Sequence, residues 1–123
     1  MSQDLWSEDD PSESVRTYVR SIGDHARLVN RERAALLDDA LLAASRGGLD
    51  EDGRGAAAQL AHQLVGSAGT FGFPGASQLA GELERFFDDG EFNDRRRLAE
   101  ARRQLADLHR ELAAEPAYRP EHE

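Results

Sequence analysis

The 123-residue sequence contains neither cysteine nor lysine. The first absence removes disulfides and thiolate metal sites. The second leaves every basic charge to arginine, which matters at one motif position below. Aromatics are few, with one Trp, two Tyr and five Phe, and β-branched residues are scarce. Long hydrophobic runs are missing as well. No apolar stretch is long enough to span a bilayer, and the first residues lack the basic-then-apolar order of a secretory signal. The expectation is a soluble, cytoplasmic protein with no membrane partner. The formal net charge of -9 argues against nucleic acid as a partner. The runs Arg95-Arg96-Arg97 and Arg102-Arg103 therefore read as a solvated helix face.

Ala, Leu, Glu and Arg dominate what is present, and these are helix formers. The class is all-α, and the length fits one domain with its own core. Residues 1–10 read as a flexible N-terminal segment. Trp6 is its main apolar anchor, and there is room for a short extra helix. Asp10-Pro11-Ser12-Glu13 is a helix start, with a capping Asp and Pro at the first helical position. Val15, Val19, Ile22, Ala26, Val29, Leu36, Ala40 and Ala44 approximate one apolar stripe, so a single long helix is expected to about Arg46. Gly47-Gly48 ends it.

Leu49 to Gly53 reads as a short acidic loop. A second helix is expected from about Arg54 to Thr70, with Ala57, Leu60, Ala61, Leu64 and Ala68 inward. Phe71-Gly72-Phe73-Pro74-Gly75 is a turn whose two aromatics plug the end of a core. A third helix follows to about Asp88, with Ala76, Leu79, Ala80, Leu83 and Phe87 apolar. A fourth runs from about Asn93 to Ala114, with Leu98, Ala101, Leu105, Leu108 and Leu112 at three-four spacing. The expected architecture is an antiparallel four-helix bundle over residues 11–114, with a flexible tail at 115–123.

His62 stands on the second helix opposite its apolar stripe. Gly55, Ala58, Gln59, Val65, Gly66 and Gly69 share its face. Gly66, one turn on, costs about 1 kcal/mol of helix propensity against Ala. Two readings fit equally: clearance for a partner, or close helix–helix packing at Gly66. A second residue follows from hairpin arithmetic. The turn centres near Phe73, eleven residues after His62, and eleven further on is Glu84. The two are level on adjacent antiparallel helices. A carboxylate there can accept the imidazole Nδ1–H, fix the tautomer and leave Nε2 free. An ordinary solvated glutamate is the competing reading.

Three further histidines read as uninvolved: His25 beside Asp24, His109 as solvent-facing, and His122 in the tail. No Glu-x-x-His pair supplies di-metal ligands, and no phosphate-cradling glycine loop follows a strand.

The run His62-Gln63-Leu64-Val65-Gly66-Ser67-Ala68-Gly69, with Gly72, Leu79, Ala80 and Glu84, resembles the histidine-containing phosphotransfer (HPt) domain of bacterial two-component phosphorelays. The stretch Ala68-Gly69-Thr70-Phe71-Gly72-Phe73 is similar to the phosphoacceptor domain of chemotaxis histidine kinases. The motif covers about residues 57 to 88. The resemblance implies that His62 accepts a phosphoryl group from a receiver aspartate or a kinase and passes it to a receiver aspartate. Glu84 falls where the family carries the histidine's hydrogen-bond partner, and Ala58, Gln59, Val65, Gly66 and Gly69 form the expected binding face. The implied partner is a response-regulator receiver domain, a hybrid histidine kinase, or both. The chain would bind no cofactor and no metal itself; magnesium is expected on the receiver. It would be a stoichiometric carrier without an ATP-binding module, and a monomer. One position departs from the pattern: the usual lysine three residues after the histidine is Val65. Arg54, two turns before His62, and Arg85, after Glu84, are the candidate cations in its place. That departure favours an alternative, a non-phosphorylated HPt-like bundle that binds and inhibits a receiver or kinase. A purely structural helical adaptor is a third reading, but it would not need a bare histidine flanked by glycines.

Overall fold

A computed structural model describes residues 11–117. The expectations for Trp6, Asp10 and His122 lie outside the described residues. Four helices follow one another: α1 (Pro11–Ser45), α2 (Glu51–Thr70), α3 (Pro74–Asp89) and α4 (Arg95–Ala113). Each packs on its neighbours in sequence, and α4 closes on α1. No strand occurs among the described residues.

The ends of the helices are set by local chemistry. Asp50 is the N-cap of α2, and its side chain accepts from Gly53 N at 2.8 Å. Glu51 to Gly53, expected in a loop, therefore form the first turn of α2. The acidic residues there suit the positive end of the helix dipole. Asp94 caps α4 in the same way, accepting from the Arg96 and Arg97 amides. Pro74 and Gly75, expected in the turn, already belong to α3, where Pro suits the first helical position. Gly72 at φ 94° lets α2 stop abruptly, so that Phe73 N can donate back to Ala68 O at 2.8 Å.

The core is aliphatic in the middle and aromatic at both ends. Ala57, Ala61, Leu64 and Ala68 of α2 are buried, as are Ala76, Ala80, Leu83 and Phe87 of α3 and all five stripe residues of α4. Leu60 and Leu79 are only half-buried. Phe73 plugs one end, with the Arg27 guanidinium 5.6 Å above its ring. Phe86, Phe87 and Phe92 meet at the other end, with centroids 5.1–6.1 Å apart. The tail folds back as far as Ala117, whose amide donates to Gly72 O.

The first helix departs from expectation. Its bundle-facing residues are Asn30, Ala34, Leu37, Leu41 and Ala44. Val15, Ile22 and Leu36 of the expected stripe are exposed instead. The displaced assignment has a polar cause. Asn30 is fully buried, donates to Ser67 Oγ at 3.1 Å and accepts from Arg33 at 2.9 Å. A satisfied buried amide fixes the rotation and height of α1 on α2, although hydropathy alone scores it as surface.

Candidate functional site

The site is built on the α2–α3 hairpin, which is tightly fixed. Ser77 Oγ donates to Val65 O at 2.7 Å, tying the start of α3 to the C-terminal half of α2. A methyl group at Gly69 would lie 3.4 Å from the same hydroxyl, so glycine permits that approach. With the hairpin held in register, Glu84 comes level with His62. His62 Nδ1 and Glu84 Oε2 are 3.0 Å apart. The His62 side chain is 65% exposed and that of Glu84 28%. The carboxylate is thus partly sheltered while the ring projects into solvent.

The surroundings separate the two readings of the glycines. Among the described residues, a methyl group built on Gly66 or Gly55 meets nothing within 4 Å. No neighbouring helix approaches either position, so close packing inside the bundle does not account for them. The helix therefore gives up about 1 kcal/mol at Gly66 with no internal return. What the glycines provide is a low surface on either side of the imidazole.

The residues expected on this face divide. Gln59, Gly66 and Gly69 are exposed with His62. Val65 is half-buried and turned toward α3, its Cγ2 3.9 Å from a methyl built on Gly81. Ala58 is 8% exposed; it lies in the seam between α2 and α3, and its Cβ belongs to the core.

Neither candidate cation stands free. Arg54 donates to the Phe87 and Asp88 carbonyls, satisfying the C-terminus of α3, and pairs with Glu51. That ion pair raises the Arg54 pKa through its hydrogen bond to Glu51 and lowers that of Glu51. Arg54 is a structural clamp at the far end of the hairpin. Arg85 pairs with Glu82 at 3.0 Å on its own helix, 66% exposed. His109, expected to face solvent, is half-buried and bonds Asp38 of α1 at 2.8 Å. His25 is exposed. Among the described residues, no group of three metal-ligating side chains converges.

Chemically, the arrangement presents one nucleophile. In the Nδ1–H tautomer the ring donates to Glu84 and turns an unprotonated Nε2 outward. The chain matches the family model of the Hpt domain over residues 16–115. It belongs to the Hpt domain family. No curated protein and no solved structure matches it. As an Hpt domain, the chain has a phosphotransfer-type role in two-component signalling; such domains carry phosphoryl groups and lack an ATP-binding catalytic module. Among the described residues, no helix is long and apolar enough to cross a membrane.

Two features of this Hpt domain escape a reading by periodicity. One is the Ser77 hydroxyl, which locks the hairpin. The other is the chain from Arg33 through Asn30 to Ser67, which joins α1 to the back of α2. An Asn in the middle of an alanine- and leucine-rich helix is the sequence signal for the second.

Proposed function

We propose that His62 is the phosphoacceptor of a phosphorelay and Glu84 its orienting partner. The observation that carries this reading is a braced, exposed imidazole between Gly55 and Gly66, at which an added methyl would meet none of the described residues. Nε2 attacks the phosphorus of an aspartyl phosphate on a receiver domain. The N–P bond forms, the acyl P–O bond breaks, and the receiver's aspartate leaves as carboxylate. The ring becomes formally cationic, and the Glu84 carboxylate at Nδ1 lies against that charge. Passage to the next receiver reverses these events. Catalysis of such a step is mainly positioning and charge neutralisation. The receiver supplies magnesium; this chain supplies the nucleophile and a docking face centred on Gln59, Gly66 and Gly69.

The test is incubation of the chain with a receiver phosphorylated on its aspartate. The expected product carries acid-labile, base-stable label that His62→Asn abolishes. Label on the His62→Asn variant would overturn the assignment. A second reading, a bundle that binds a receiver or kinase and blocks it, is favoured by one feature. Val65 replaces the usual lysine, and Arg54 and Arg85 are both held in ion pairs. Binding of a phosphorylated receiver without transfer of label would select that reading.

A further inference from the structure

From Gly55 to Thr70, α2 carries no Asp, Glu or Arg. His62 therefore has no cation on its own helix within about two turns either way. A phosphoryl group on Nε2 would add about two negative charges, and the Glu84 carboxylate already holds the other ring nitrogen at 3.0 Å. A cation for that group has to come from a neighbouring helix or from the receiver. On α1, Arg33 is bonded to Asn30, which meets Ser67. Ser67 is five residues from His62, about 140° around α2, so Arg33 stands behind the helix. Arg54 is committed to the Phe87 and Asp88 carbonyls at the far end of α3. Arg85 of α3 is placed differently.

Counted about Phe73, Arg85 is level with Ala61 and Glu82 with Leu64, so the two heights bracket His62. Arg85 Nη2 is 3.0 Å from Glu82 Oε2. The guanidinium thus leans toward the start of α3, as helical side chains do, and lies at the height of the imidazole. Around α3, Glu84 faces His62 and Gly81 faces Val65. A methyl built on Gly81 would lie 3.9 Å from Val65 Cγ2 and meet no other described residue within 4 Å. Arg85 is four residues past Gly81, on the same ridge of the helix. The path from its present position to the seam beside Val65 crosses that glycine, where the surface is low. The bond to Glu82 holds it weakly, because the pair is an i,i+3 pair with side chains 66% and 42% exposed. A phosphoryl group offers a guanidinium more charge and a two-pronged set of acceptor oxygens.

We infer that Arg85 is the phosphoryl-binding cation of this chain, and that it rests on Glu82 until His62 is phosphorylated. It then leaves Glu82, crosses above Gly81 and binds the phosphoryl oxygens, in place of the usual lysine on α2. This rests on the reading of His62 as the phosphoacceptor. The consequence is a longer-lived phosphohistidine. In hydrolysis water adds to phosphorus, the electron pair of the N–P bond returns to Nε2, and inorganic phosphate leaves. The phosphoryl oxygens push electron density toward phosphorus as that bond breaks. A guanidinium held on them opposes the push and slows the loss. Glu82 competes for the same guanidinium, so its carboxylate shortens the lifetime. The two members of one ion pair therefore act in opposite directions.

The test is the lifetime of the phosphohistidine in the full chain. The chain is phosphorylated with a small-molecule phosphoramidate, freed of donor, and followed by phosphorus NMR at neutral pH. Arg85→Gln should shorten the lifetime about five-fold, the low end for a charge-assisted bond once solvent exposure is allowed for. Arg85→Lys should keep most of it. Glu82→Gln should lengthen it, because the competing carboxylate is gone. A pair that served only the fold would shift both single variants the same way, and Glu82→Gln decides the matter even where Arg85→Gln lowers the helical melt. A labelled Arg85→Gln variant with the parent's lifetime overturns the inference and leaves the phosphoacceptor standing. So does a Glu82→Gln variant whose lifetime falls. A parent that takes no label on His62 removes the phosphoacceptor reading, and this inference with it.

Discussion

His62 and His109 each face a carboxylate on a neighbouring helix, at 3.0 Å and 2.8 Å. By distance and partner type the two pairs are near equivalents. They differ in which nitrogen is held. His62 gives Nδ1 to Glu84, so its distal nitrogen points outward. His109 gives Nε2 to Asp38, which leaves the nitrogen nearest its own backbone. They differ also in neighbours. One turn on from His62, a methyl group built on Gly66 would meet none of the described residues. His109 is half-buried between α1 and α4, followed by Arg110, which pairs with Asp107. A histidine–carboxylate pair is therefore not by itself a site. On the proposed reading the free nitrogen and the space before it make one, and the other pair joins two helices.

The largest expected effect separates the pairs outright. His62→Gln should remove receiver-dependent labelling altogether, while His109→Gln should label as the parent does. His109→Gln should instead lower stability by up to about 1 kcal/mol in urea unfolding, the usual range for a partly exposed pair. Labelling lost in both variants would erase the distinction. Next is the brace. Glu84→Ala should slow transfer about ten-fold, the low end for losing a residue that orients a reactive imidazole, with the melting curve little changed. Asp38→Ala should not slow it. Stopped-flow transfer rates from one phosphorylated receiver would show whether the two carboxylates behave alike.

Gly66→Ala sharpens the comparison by moving stability and function in opposite directions. The added methyl meets nothing, so the fold should gain about 1 kcal/mol. Receiver affinity should fall, because the methyl stands on the docking face. A stabilised variant with undiminished affinity would mean the glycine surface is not used. The smallest effect is expected at Val65→Lys. Its stem can cover the half-buried position while the ammonium reaches solvent beside His62. A screened attraction of about 1 kcal/mol raises transfer rate or phosphohistidine lifetime roughly five-fold. No change in either would show that the lysine's place is not where charge is needed.

Much of this was legible in the sequence, and the misses have common causes. The Glu84 position came from counting residues about Phe73, because a short turn leaves an antiparallel hairpin one register. The cores of α3 and α4 came from three-four spacing, since each has a single apolar face. Periodicity misled on α1 because its apolar positions spread over two faces, with Leu37 and Leu41 toward the bundle and Val15, Ile22 and Leu36 exposed. The buried amide of Asn30 decides between them, and only its partners Ser67 and Arg33 reveal it. The role of Arg54 is hidden from the sequence for a related reason. A long side chain on α2 reaches carbonyls more than thirty residues away, and spacing along its own helix says nothing of them. Ala58 shares the angular sector of His62, but α3 packs over that sector's edge.

The decisive measurement is the position of the phosphate. The chain, phosphorylated by a small-molecule phosphoramidate donor, can be read by nitrogen–phosphorus coupling in NMR spectra of nitrogen-labelled protein. One phosphorus bonded to Nε2 of His62, with Nδ1 still protonated, is the predicted result. Phosphorus on Nδ1 of His62, on His109, or on no histidine would contradict it.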